Sequence, residues 1–375
     1  MNRNMQPDEI RIIISGGGTG GHVFPAIAIA NALKAKVPSI NILFVGALGK
    51  MEMEKVPAAG YPIIGLKIAG LQRRLTLKNL SFPFKVIAAT RNAGKIIRDF
   101  NPHVAVGVGG YASGPLLKAA SRNHVTTVLQ EQNSYPGITN KMLAGKASRI
   151  CVAYPGMERF FPKEKIILTG NPVRQDVVDL EGKRQRGLDF FGLKDGRKIV
   201  FVVGGSLGAR TINESILNSL NLFPENKIQL LWQTGKSFAE TAANAIDQMK
   251  VPGVKASAFI TEMDLAYAVA DVVVSRAGAI AISELCLVDK PVILVPSPNV
   301  AEDHQTKNAM ALVNKGAALL VKDADARENL VKEVIRLVKD EKQKEGLRRN
   351  ILSLSYRDAA ATIAQIILDL VNDNG

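Results

Sequence analysis

At 375 residues the chain is too long for one ordinary core and predicts two domains. Its 47% apolar and 22% charged residues exclude a disordered chain, and a net charge of +14 predicts an acidic partner: nucleic acid, an anionic membrane surface or a phosphorylated substrate. Two cysteines, Cys151 and Cys286, each inside an apolar segment, argue against a disulfide framework and suit a reducing compartment. The opening "MNRNMQPDEI" lacks the pattern of a secretory signal. The most apolar long segment, 264–288, is broken by Asp271, Arg276 and Glu284 before it reaches the roughly 18 residues of a spanning helix, so membrane contact is expected to be peripheral.

The first predicted strand, "RIIIS" at 11–15, runs into a glycine turn and a helix-like pattern, with a GxGxxG at Gly16, Gly18 and Gly21. A P-loop is excluded, because Gly21 is followed by His22 and Val23 rather than by the lysine that reaches the phosphates. A dinucleotide site is weakened, because the carboxylate that should end the next strand is missing from "NILFVGALG" at 41–49. What remains is a strand-to-helix turn whose N–H groups and helix dipole suit an anion, with His22 as its titratable side chain.

Further strands are predicted at 103–109, 126–132, 149–154 and 165–170, alternating with helix-length segments as βαβ units do. "VGVGGYASGP" at 106–115 adds a second glycine turn, either only a tight βα connection or, with the first, a shared anion-binding wall. Past the next strand stand Glu131, Gln132 and Asn133, either substrate contacts or a helix cap. After "TGNPVR" a polar stretch to Lys198 joins a second series, whose strands are read in "RKIVFVV", "IQLLWQTG", "VKASAFI", "DVVVSRAG", "PVILVPSP" and "AALLV". Two doubly wound domains in tandem follow, with a cleft at the strand C-termini. In the second, Ser206 of "VVGGSLGAR" opens a helix suited to phosphate, and Arg174 offers either a fixed charge for that site or a surface ion pair.

A lone acid, Glu284, sits in "AIAISELCLV", where a buried carboxylate needs a partner: a ribose diol, or an ion pair with Arg276. His304 and Gln305 precede another helix, and the last segment, 356–373, is amphipathic at helical spacing and is expected to pack on a domain surface.

Seven of these segments, "GGGTGGHVFPAIAIA", "GVGGYASGP", "LQEQNSYPGITNK", "TGNPVR", "GGSLGAR", "SRAGAIAISE" and "AEDHQTKNA", stand in an order that resembles the MurG family over nearly the full chain. These are bacterial transferases of the GT28 type, which add N-acetylglucosamine to undecaprenyl-diphospho-muramoyl-pentapeptide in peptidoglycan synthesis. The resemblance implies an α/β GT-B fold of two Rossmann-like doubly wound parallel-sheet domains facing a cleft. Residues 1–172 would form an acceptor and membrane-associating domain, with the helix 356–375 packing back on it, and 173–355 the UDP-N-acetylglucosamine domain.

Carried over by position, the resemblance places Ile260 on the uracil through its backbone, Glu284 on the ribose and Ser206 on the diphosphate. Arg174 and Thr19 would lie near that diphosphate, with Gly20 and Gly21 on the same donor side; Asn133 and Gln305 would hold sugar hydroxyls, and Ala279 and Ile280 would line the donor pocket. Gly17, Gly18, Gly109, Gly110, Tyr111 and Ser113 would meet the acceptor, and His22 would be the base. Some members have tandem glutamines where this chain has His304 and Gln305.

The reaction implied is an inverting displacement that needs no obligatory cofactor or metal. The basic and apolar segment 71–98 resembles the family's membrane-facing region and suits an anionic bilayer, either as such or as a solvated helix face. The implied location is peripheral, on the cytoplasmic face of the cell membrane, with cell-wall and division proteins as further partners. Two rivals remain: an epimerase acting on the same donor, and a nucleic-acid-binding protein suggested only by charge, against which 5% aromatic residues and the absence of a recognition motif weigh.

Overall fold

The computed structural model describes residues 9–68, 82–173, 175–205, 207–300 and 303–373. The chain forms two compact units, 1–174 with 358–375, and 175–357. The first holds β1 (Arg11–Gly16), β2 (Asn41–Ala47), β3 (Ile63–Leu66), β4 (Val104–Gly109), β5 (Thr126–Glu131), β6 (Arg149–Val152) and β7 (Ile166–Leu168), in the order β3-β2-β1-β4-β5-β6-β7. The second holds β8 (Lys198–Val203), β9 (Ile228–Gln233), β10 (Val254–Ser257), β11 (Val272–Ser275), β12 (Val292–Leu294) and β13 (Leu319–Leu320), in the order β10-β9-β8-β11-β12-β13. Every pairing is parallel. Strand order therefore reverses at β1/β4 and at β8/β11, the places where a doubly wound sheet presents its ligand crevice.

The strand pattern sorts residues between two faces of the first sheet, because successive side chains point opposite ways. Ile12 and Ile14 pack with Ile29 and Leu33 of the helix Gly20–Lys36 and with Ile363 and Ile367 of the helix Ala359–Asn372. Ile13, on the other face, joins Ala93 and Ile97 of the helix Phe82–Phe100 and Leu116 of the helix Ser113–Arg122. The last helix thus belongs to the first unit, lying on Gly20–Lys36, where Lys36 Nζ donates to Gln365 Oε1 at 3.0 Å. In the second unit Val200, Val202 and Val274 meet Ile212 and Ile216 of the helix Arg210–Leu217 and Leu330 and Val334 of the helix Ala326–Lys339.

One strand was not expected from the sequence. β3 is a four-residue edge strand preceded by Pro62, and its exposed Ile64 breaks the run of buried residues that betrays the central strands.

Candidate functional site

In the first unit the turn after β1 and the turn after β4 meet backbone to backbone. Gly17 N–H donates to Gly109 O at 3.2 Å, and a Cβ on Gly110, whose φ is +93°, would strike the Gly17 carbonyl. Only glycine permits that approach. The His22 ring, in the first turn of Gly20–Lys36, lies against Gly109, where a Cβ would meet its Cε1 and Nδ1 at 2.7 Å. Tyr111 is 44% exposed, and its ring edge lies 3.5 Å from where a Cβ on Gly18 would sit.

Beneath the turn lies a residue that the sequence reading missed. Glu52, wholly buried at the start of the helix Glu52–Ala58, accepts from Gly18 N at 2.8 Å through Oε2 and from Ala47 N at 3.0 Å through Oε1. A Cβ on Gly17 would collide with this carboxylate. No acid stands in 41–49, whereas Glu52, three residues beyond Gly49, folds back. The expectation that the turn's N–H groups face an anion is corrected at two positions: Gly17 and Gly18 spend theirs inside the fold.

Glu131, the last residue of β5, is also buried and organises the following loop. Its Oε1 accepts from Asn133 N at 3.0 Å and Asn133 Nδ2 at 3.2 Å, and its Oε2 accepts from Asn140 Nδ2 at 2.8 Å and Gly137 N at 3.2 Å. Burial pushes the Glu131 carboxyl above its ordinary value, and these four donors only partly offset that. Gln132 turns inward, donating to Val108 O at 2.6 Å, so it serves the fold. Ser113 is corrected as an acceptor contact: its side chain is wholly buried at the helix start, against Gly107.

The second unit holds a cavity of about 680 Å³ at the β8/β11 reversal, a size suited to a small ligand. Gly204 and Gly205 line it after β8, Ser275 at the end of β11 with Arg276 and Gly278 after it, and Ile260, Glu284 and Gln305 are among the others. Glu284 is on the helix Ala279–Leu287, whose phase turns Ala281, rather than Ala279 or Ile280, toward the space. Arg276 Nη1 pairs with Asp323 Oδ1 at 2.5 Å and donates to Val295 O at 3.0 Å, so its charge is met without Glu284. Asp323 also accepts from Thr211 Oγ1 at 3.0 Å.

Gln233 ties the cavity wall together, its Oε1 accepting from Ile260 N at 2.9 Å and its Nε2 donating to Gly205 O at 3.1 Å. A base held by the backbone of Ile260 is therefore left with its carbonyl. Gln305 spends its own Oε1 on Ser297 N at 2.8 Å, which among the described residues leaves its NH2 for a ligand. Phe259, 56% exposed, gives the rim an apolar surface.

The structure thus gathers Gly17, Gly18, Thr19, Gly20, Gly21, His22, Gly109, Gly110 and Tyr111 around one pair of turns. It brings Ile260, Glu284 and Gln305 to one cavity. Arg174, Ser206 and the stretch 71–81 of the basic segment lie outside the described residues. Glu52, Gln233 and Asp323 escaped the sequence reading, and only their polarity beside apolar strands hinted at them.

Two all-parallel doubly wound units are the architecture of GT-B proteins. A crystal structure of Acinetobacter baumannii MurG superposes with a TM-score of 0.78 at 24% identity, over 96% of this chain and 100% of that one. UDP-GlcNAc 2-epimerase from Neisseria meningitidis bound to UDP-GlcNAc shares the fold at a TM-score of 0.67 and 14% identity, over 96% of this chain and 100% of that one, so fold alone does not separate the rivals. Sequence does. The glycosyltransferase family 28 N-terminal domain matches residues 12–152 and its C-terminal domain matches 199–363. A Phocaeicola vulgatus protein, named UDP-N-acetylglucosamine--N-acetylmuramyl-(pentapeptide) pyrophosphoryl-undecaprenol N-acetylglucosamine transferase, is 54% identical over 97% of both chains. This chain belongs to glycosyltransferase family 28.

Proposed function

We propose that the chain transfers N-acetylglucosamine from UDP-N-acetylglucosamine to the 4-hydroxyl of the muramoyl sugar in a pentapeptide-bearing, diphospho-undecaprenol-linked acceptor. The observation that carries this reading is the cavity at β8/β11, in a chain half identical to a relative of that name. Glu284 accepts from the ribose hydroxyls, the Ile260 carbonyl meets the uracil, and Gln305 donates to the sugar. The turn after β8 and the helix Arg210–Leu217 receive the diphosphate, with Ser206 and Arg174 adding a donor and a charge.

The reaction is a direct displacement. The acceptor hydroxyl oxygen bonds to the anomeric carbon, the bond from that carbon to UDP breaks, and the pair of electrons leaves on the diphosphate. His22 takes the hydroxyl proton. The anomeric configuration inverts, and the reading calls on no metal ion or cofactor. Transfer of labelled sugar to a short-chain acceptor tests it. Glu284→Ala should raise the donor KM about ten- to a hundredfold, the value of hydrogen bonds to a charged group; a wild-type protein that binds UDP-sugar and transfers nothing sinks the reading.

The same reading places the protein on the cytoplasmic face of the membrane. Among the described residues no helix is long and apolar enough to cross one. Phe84 (74% exposed) and Ile87 stand among Lys85, Arg91 and Lys95 on the helix Phe82–Phe100, and Ile138 and Met142 are exposed on the helix Ile138–Leu143. Apolar side chains rimmed by cations suit an anionic bilayer.

A further inference from the structure

We infer that Lys50 binds a phosphate group of the lipid-linked acceptor, beside Tyr111 at the rim of the first glycine turn. This rests on the acceptor-side reading of that turn given above. The turn itself is poorly equipped for an anion, because Glu52 puts a carboxylate directly beneath it and consumes the Gly18 N–H, while Gly109 consumes that of Gly17. A phosphate there needs a cation from elsewhere.

The same carboxylate delivers one. Glu52 anchors the segment after β2 to the turn, and Lys50 precedes it by two residues, in a bend closed by Lys50 N to Ala47 O at 3.3 Å and Met53 N to Lys50 O at 3.0 Å. The backbone of Lys50 is thereby fixed while its side chain is exposed. Its ammonium lies 5.8 Å from the centre of the Tyr111 ring, the ring that reaches over Gly18. Lys50 thus brings a strongly hydrated point charge on a flexible stem beside the Tyr111 ring, which itself lies over the glycine turn that carries the exposed Thr19 and leads into His22. On the acceptor-side reading His22 meets the sugar hydroxyl, and Lys50 is the cation for the linked phosphate.

The experiment measures steady-state transfer to a short-chain diphospho-muramoyl-pentapeptide acceptor in detergent for the wild type, Lys50→Ala and Lys50→Arg, alongside co-sedimentation with phosphatidylglycerol vesicles. Lys50→Ala is expected to raise the acceptor KM about tenfold with kcat and donor KM unmoved, and Lys50→Arg to recover most of the loss. Added salt should weaken acceptor binding more in the wild type than in Lys50→Ala. An unchanged acceptor KM overturns the inference, as does a change in kcat or donor KM of the same size. Lost vesicle binding with an unchanged acceptor KM also overturns it, by assigning Lys50 to bilayer headgroups. If the wild type transfers nothing, the proposed function fails and the inference with it; if it transfers normally and Lys50 is silent, only the inference fails.

Discussion

In the first unit the glycine turn after β1 leans on the turn after β4, across the point where strand order reverses, and a carboxylate closes it from beneath. In the second unit the turn after β8 leans instead on the turn after β9: a Cβ on Gly208, at φ +78°, would strike the carbonyl of Thr234, and the β8/β11 reversal stays open as the cavity. Each turn is braced by one polar side chain, and its chemistry follows from what it must satisfy. Glu52 meets two N–H donors and so needs two acceptor oxygens; Gln233 meets one N–H and one carbonyl and so needs an amide. A glycine motif therefore specifies close backbone approach, and the neighbour it approaches decides whether a ligand has room.

If the first unit supplies chemistry and the second holds the donor, His22→Ala should show the largest effect, a fall in kcat of about 10²- to 10⁴-fold with the donor KM unmoved. A shift in donor affinity instead would merge the two roles and break the contrast. Next come the contacts between turns. Gly110→Ala and Gly208→Ala each add a strained φ and a backbone overlap, and should each cost roughly 2–4 kcal/mol in urea unfolding. Only the first should abolish turnover while UDP binding survives in the protein that remains folded.

The braces sharpen the comparison further. Glu52→Gln turns an NH2 toward a backbone N–H, and Gln233→Glu turns an oxygen toward the Gly205 carbonyl, so each swap should destabilise by about 1–3 kcal/mol. A neutral Glu52→Gln would show that charge and acceptor count do not matter there. The smallest effect is one of pH. Because burial holds the Glu131 carboxyl above its ordinary value, the unfolded chain loses this proton first. The group's contribution is complete below the ordinary carboxylate range and is lost as pH rises through the folded value. Urea midpoints of wild type and Glu131→Gln should diverge across that window, and parallel curves would clear Glu131.

The sequence carried the central strands well, because Ile12–Ile14, Val104–Val106 and Val272–Val274 are β-branched or small and buried on both faces. It carried β3 poorly, where one sheet edge relaxes that demand. Glycine turns were legible as turns, whereas their partners were not: Gly17 against Gly110 and Gly208 against Thr234 are meetings across the fold that local pattern does not encode. Likewise the family resemblance set Ser113 against the acceptor, and only packing tells that its side chain is turned inward against Gly107. Glu284 was legible as an acid out of place; Asp323, which neutralises Arg276 from 47 residues away, was not.

The helix Ala359–Asn372 covers a face of the sheet begun by Arg11–Gly16, so the first unit is assembled from both ends of the chain while the second is one uninterrupted stretch. During synthesis the second unit can complete its core as it emerges. The first must wait, with the apolar surface around Ile29 and Leu33 uncovered, until the helix Ala359–Asn372 has emerged. Removing the helix Ala359–Asn372 would therefore unsettle the glycine turn after β1 and leave the β8/β11 cavity intact.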